Sequence, residues 1–148
     1  MAKLGQVQNF LKPAEDAMGF SAIVLSNSTV YLAGVISIDD QLNIVAPNDM
    51  AGQIDRVYDI IEQTLAKCGA TFEHVVNEVV YTTDLAAFAE AGPIRRKRYQ
   101  GHAFPAATAV QVSGLAIPGA LIEIQITAEL DGTEWSPHAP LAPPPAEP

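Results

Sequence analysis

The chain has 148 residues, of which 49% are hydrophobic and 17% charged, and a formal charge of −9. That is enough chain for one domain with a real core and too little for two, and the composition argues against disorder. An acidic surface repels polyanions, so nucleic acid is not an expected partner.

No run of about 18 apolar residues occurs, so no membrane span is expected. The opening MAKLGQVQNFLKPAEDAM is charged and broken, and does not read as a signal peptide. Cys68 is the single cysteine, which excludes an internal disulfide and fits a reduced, cytoplasmic setting. His74, His102 and His138 lie far apart, with no cysteine pair or HExxH spacing, so neither a metal site nor a cofactor is expected.

Residues 20–26 (FSAIVLS) and 29–35 (TVYLAGV), separated by Asn27-Ser28, read as a β-hairpin. Residues 36–48, with Asp39, Asp40, Asn43, Pro47 and Asn48, read as a loop. Asn48 or Asp49 then caps a helix of about five turns. Its stripe is Met50, Ile54, Val57, Tyr58, Ile61 and Leu65, and Gly69 stops it. After a short turn at 70–74, Val75–Thr82 reads as a strand.

An irregular turn is expected at 84–90 and a helix from Pro93 to Tyr99, because Gly92-Pro93 interrupts the helical pattern. That helix carries Arg95-Arg96-Lys97-Arg98, half of the eight positive charges. The tetrad reads as a solvated helix face, with a local anion patch as the alternative. Thr108–Val112 and Ala120–Leu130 are the last strands. The second alternates Leu121, Glu123, Gln125 and Thr127 with Ile122, Ile124 and Ile126.

The order β-β-α-β-α-β-β implies a single α+β domain over 1–130, with two helices on one face of a mixed sheet. Residues 131–148 hold six of the eleven prolines and read as a Pro-rich tail that begins just before Trp135. The bare sheet face invites a closed ring of identical subunits, with ligand clefts between them. Glu123 stands among isoleucines on that last strand. It is either a solvent-facing residue of a half-exposed strand or a desolvated acid with a raised pKa, suited to proton transfer.

Several blocks resemble the RidA/YjgF family in matching order. GFSAIVLSNSTVYLAGVISID resembles the family's N-terminal hairpin, and VVNEVVYTTDLAAFAEAGPI its VVKVTVYLTDLADFAAVNEV segment. HAFPAATAVQVSGL resembles FPARSTVQVAAL, and PGALIEIQITAEL resembles KGALVEIEAIA. The resemblance spans roughly residues 18–130. It implies a chorismate-mutase-like homotrimer with sites between subunits. It also implies hydrolysis of enamines or imines such as 2-aminoacrylate, in which an arginine clamps the substrate carboxylate and a glutamate positions water.

The glutamate falls on Glu123 and the hairpin glycine on Gly34, both present. The hairpin tyrosine becomes Phe20, and the helix asparagine becomes Gly92. The arginine falls on Ala107, beside Thr108, and the cysteine or threonine two places on becomes Ala109. Phe20, Gly34, Gly92, Ala107, Thr108 and Ala109 are therefore the expected substrate-binding positions, with Glu123 catalytic. Losing a bidentate arginine removes an anchor worth about 2–5 kcal/mol. The expectation is a family member acting on a different small molecule in a specialised pathway. A non-catalytic binding or regulatory trimer is the alternative. Ribonuclease activity, attributed to some relatives, is opposed by the charge of −9.

Overall fold

A computed structural model describes residues 6–8 and 12–130. The Pro-rich segment 131–148, with Trp135, lies outside the described residues.

Strands β1 (Gln6–Gln8), β2 (Ile23–Ser26), β3 (Thr29–Leu32), β4 (Val35–Ile36), β5 (Val75–Thr82), β6 (Ala106–Gln111) and β7 (Ile122–Glu129) form one sheet. Its order is β1-β2-β3-β7-β5-β6, with β4 also paired to β7. Only β5 and β6 run parallel. The β2–β3 hairpin turns at Asn27, whose φ of 54° suits asparagine's tolerance of the left-handed region.

Strands β3 and β4 pair with successive stretches of β7. Tyr31 faces Thr127, and Val35 faces Ile124. Ala33 and Gly34 lie in the break between them.

The helical stripe does what its spacing implies. Helix α2 (Met50–Lys67) starts at Asp49, whose carboxylate accepts the Gly52 amide at 3.0 Å. Its Ile54, Val57, Ile61 and Leu65 are fully buried, as are Ile122, Ile124 and Ile126 of β7. The period-2 pattern of β7 thus resolves with isoleucines toward the helices and Glu123, Gln125 and Thr127 toward the other face. That face is incompletely covered, and Tyr31 is 48% exposed on it.

Two short helices were not expected from the pattern. Helix α1 (Lys12–Met18) precedes the hairpin, and its buried Glu15 accepts the Ala22 amide at 2.6 Å. Helix α3 (Leu85–Glu90) replaces the irregular turn expected at 84–90. The reason is the Asp84 side chain, which accepts the Ala87 amide at 3.0 Å and so completes a cap. Helix α4 (Gly92–Arg98) follows with proline in its first turn, one residue earlier than expected at each end. Among the described residues there are therefore four α-helices where two helices were expected.

The basic tetrad is not a uniformly solvated helix face. Arg98 pairs with Asp55 and Asp59 of α2 at 2.5 and 2.7 Å. Arg95 reaches inward and donates from Nε to Glu78 Oε1 at 2.7 Å. Glu78 is fully buried on β5 and also accepts the hydroxyls of Tyr58 at 3.0 Å and Tyr99 at 2.6 Å. Burial holds both phenols far above their ordinary pKa, so they stay protonated donors. Half of the tetrad is thereby committed to fixing α4 to the rest of the fold.

Removing Arg95 leaves a buried carboxylate with two neutral donors and no counter-charge. Arg95→Leu should lower stability by about 3 kcal/mol, the low end for breaking a buried pair because both tyrosines remain. Urea denaturation at fixed protein concentration checks this, and a loss below about 1 kcal/mol would show that the pair is not structurally important.

Candidate functional site

The site is organised by α2 through two polar side chains set into and beside its apolar stripe. Gln53 is fully buried. Its amide donates to Gly119 O at 3.0 Å and Ala46 O at 3.3 Å, and its oxygen accepts the Leu121 amide at 2.8 Å. One side chain thus anchors both the loop before α2 and the loop before β7. Arg56 donates through Nε and Nη2 to Ile38 O, each at 3.0 Å, and holds the first of these loops from its other end. Within that loop Asp39 accepts the Gln41 and Asn43 amides at 2.9 and 2.8 Å. The bonds from Asn43 lower its carboxyl pKa below the ordinary value.

Between these loops, the hairpin and α1 lies a cavity of about 360 Å³. Its wall is almost entirely apolar: Ala14 and Met18 from α1, Leu32 and Val35 from the strands, Ile60 from α2, and Ile117 from the loop before β7. Phe20, Gly34 and Glu123 also line it. Among the described residues its polar side chains are Glu15, Thr64 and Glu123, and the Thr64 hydroxyl donates to Ile60 O at 2.7 Å. No lysine, arginine or histidine among the described residues lines it.

Glu123 and Gly34 also border a second, more open groove of about 400 Å³ on the uncovered sheet face. Tyr81, Gln125 and Leu115 line that groove. The Glu123 carboxyl therefore stands where an apolar chamber meets a polar, accessible surface. It is half-buried, and desolvation alone pushes its pKa above the ordinary value.

Gly34 fits Glu123 by having no side chain. A Cβ there would overlap the carboxyl oxygen and lie 2.7 and 2.8 Å from Cδ and Cγ of Glu123. The break between β3 and β4 brings the bare backbone of Gly34 against the acid.

Three expected site residues, Phe20, Gly34 and Glu123, therefore meet in one cavity. The other four do not join them. Ala107 and Ala109 on β6 pair with Glu78 and Val80, whose side chains are buried on the helix side of the sheet, opposite to Glu123. Thr108 pairs with Val79 and shares the open face with Glu123, two strands away. Gly92 begins α4, where a Cβ would sit 3.2 Å from Arg96 Nη1. Residues 106–111 are all exposed. Gln53, Arg56 and the α1 residues were missed in the sequence. Gln53 sits one place before Ile54 of the stripe, where a polar side chain reads as a flanking position. Among the described residues, no three His, Cys, Asp or Glu side chains gather to hold a metal. No described helix is long and apolar enough to cross a membrane.

The contact with Gly34 gives a direct test of this geometry. Gly34→Ala should push the Glu123 carboxyl out of its desolvated position and bring its pKa down toward 4.5. Titration of the Glu123 carboxyl by carbon NMR reads this, and an unchanged midpoint would show that Gly34 does not set the acid's position.

The same architecture is found in known proteins. The chain is 31% identical over 119 residues to a RutC family protein of Leuconostoc mesenteroides subsp. cremoris, covering 78% of this chain and 91% of that one. It is 32% identical over 120 residues to a RutC family protein of Pyrococcus abyssi, covering 80% and 93%. The crystal structure of a YjgF/YER057c/UK114 family member from Mycobacterium tuberculosis superposes with a TM-score of 0.72 at 27% identity, covering 84% of this chain and 98% of the other. The family model described as Endoribonuclease L-PSP matches residues 12–130, and the chain belongs to that family, the RidA/YjgF group its motifs resemble.

Proposed function

We propose that this chain is a hydrolase of a neutral enamine or imine, with Glu123 as its acid–base residue. It works as a cytoplasmic homotrimer holding the small molecule in clefts between copies. The observation that carries this reading is the Glu123 carboxyl itself. It is half-buried, raised in pKa by desolvation, and set over bare backbone at the mouth of an apolar cavity.

An acid in that setting can accept and return a proton near neutrality. The Glu123 carboxylate takes a proton from water as the water oxygen adds to the carbon of the C=N bond. That acid protonates the nitrogen to give the neutral carbinolamine, which collapses as the carboxylate takes the hydroxyl proton and passes it to nitrogen: the C=O bond forms, the C–N bond breaks, and a carbonyl compound and an amine leave. One water is consumed and the carboxylate is restored. An enamine enters the same sequence after protonation at carbon gives its imine.

The open groove beside Glu123 supports a supply of water from that side. The trimer supports completion of the site. Exposed β6, with its small Ala106, Ala107 and Ala109, suits close approach by a second copy, and the uncovered sheet face gives that copy a surface to cover. A binding trimer without chemistry is the second reading, favoured by Ala107, which offers no charge to hold a reacting carboxylate.

Glu123→Gln should lower kcat/KM for ammonia or amine release by about 100-fold or more, while sedimentation still gives three times the 15.7 kDa chain mass. The base form is the carboxylate. In wild type, kcat/KM should therefore rise with pH through a midpoint above 4.5 and be lost below it. The glutamine variant should lack that limb. Full turnover in the variant would sink the mechanism, and binding without product in the wild type would establish the second reading.

A further inference from the structure

The proposed chemistry occupies the mouth of the cavity and makes no use of its depth. Behind Glu123 and Gly34 the space runs to Ala14 and Met18 of α1, to Leu42 of the loop before α2, and to Ile60 and Thr64 of α2 itself. Its volume is about 360 Å³. A cavity of roughly 150 Å³ lined by apolar side chains stays dry and takes benzene, so by proportion this one takes about a dozen carbons.

Water is a poor occupant, because it needs two to four polar partners. The Thr64 hydroxyl is engaged by the Ile60 carbonyl, and one Glu15 oxygen by the Ala22 amide. An anion is a poor occupant too. Among the described residues, the ionisable groups that line the wall are both acids, Glu15 and Glu123. What the apolar majority of the wall suits is a hydrocarbon group.

The geometry points to a specificity chamber for the apolar substituent of the substrate. In it an aliphatic or aromatic group of about a dozen carbons lies between α1, α2 and the hairpin, and its carbon–nitrogen head is presented at Glu123. The substrate class is then a lipophilic, uncharged imine or enamine, not one derived from a simple amino acid. This rests on the reading of Glu123 as the reacting group only for the head of the molecule. The chamber's preference for hydrocarbon stands on its lining alone.

The test is a binding series by calorimetry on the full chain, with straight-chain primary carboxamides of four to ten carbons as unreactive neutral probes and the matching carboxylates beside them. The affinity of the amides should rise about threefold to fourfold per added methylene, the usual gain for burying one. Each carboxylate should bind at least tenfold more weakly than its amide at pH 7. Ala14→Trp, which fills the chamber, should flatten the rise at shorter chains, and Ile60→Ala, which enlarges it, should carry the rise to longer ones.

An affinity independent of chain length, carboxylates that bind as tightly as amides, or a rise unchanged in both variants would overturn the chamber. The wild-type series needs no variant, so a variant that fails to fold leaves the test standing. Glu123→Gln separates the two readings. A retained chain-length dependence with full turnover would sink the acid–base role and leave the chamber, whereas lost turnover with a flat series would do the reverse.

Discussion

A strand shows alternate side chains to opposite sides of its sheet, and β7 carries that constraint at the centre of this molecule. It pairs with β3, β4 and β5, so its register fixes theirs. Ile122, Ile124 and Ile126 face α2 and are fully buried, which leaves Glu123 no freedom to choose a side. A slip of one residue would place three isoleucines on the uncovered face and a glutamate in the core. The core therefore specifies where the carboxyl stands. The break between β3 and β4 then decides what it meets, because the residue brought against it is a glycine.

Two consequences follow from that placement. The carboxyl is desolvated by apolar neighbours, and no cation among the described residues lines the cavity, so desolvation is the cause that raises its pKa. In contrast, Glu78, a fully buried acid of β5, sits on the helix side with Arg95 and two tyrosine hydroxyls. Neighbouring strands of one sheet thus hold two glutamates of opposite character: one satisfied from three directions and structural, the other left able to exchange a proton.

The period-2 pattern of 120–130 and the stripe of 50–65 made the sheet's central strand and its main helix legible in the sequence. Motif order added the family and named Gly34 and Glu123 as site positions. What stayed hidden has physical reasons. The short helices α1 and α3 have seven and six residues, too few for a periodic stripe, and α3 depends on a single cap at Asp84. Gln53 joins two loops that lie 66 to 68 positions from it or just before its own helix, and no local pattern reports such a contact. The tetrad misled because charge runs read as solvated faces, whereas Arg95 turns inward to a partner 17 positions away. The depth of the cavity is likewise a product of α1 and the loops, which sequence spacing does not bring together.

On the reading proposed above, the absence of an arginine at Ala107 and the presence of an apolar chamber are two sides of one change in how a ligand is held. A buried charge pair on a substrate carboxylate is worth about 2–5 kcal/mol when truncated. Burying a methylene contributes about 0.8 kcal/mol, so three to six of them offset that loss. The chamber has room for that many and more. Arg95 does not restore the anchor, because its guanidinium is committed to Glu78 and stacked 5.2 Å from the Tyr99 ring centroid. In the proposed reading, recognition in this chain passes from a point charge, which selects for an anion, to a shaped hydrocarbon surface, which selects for size. Glu123 over Gly34, the half proposed to touch the reacting atoms, keeps the residues that the motifs share with the family.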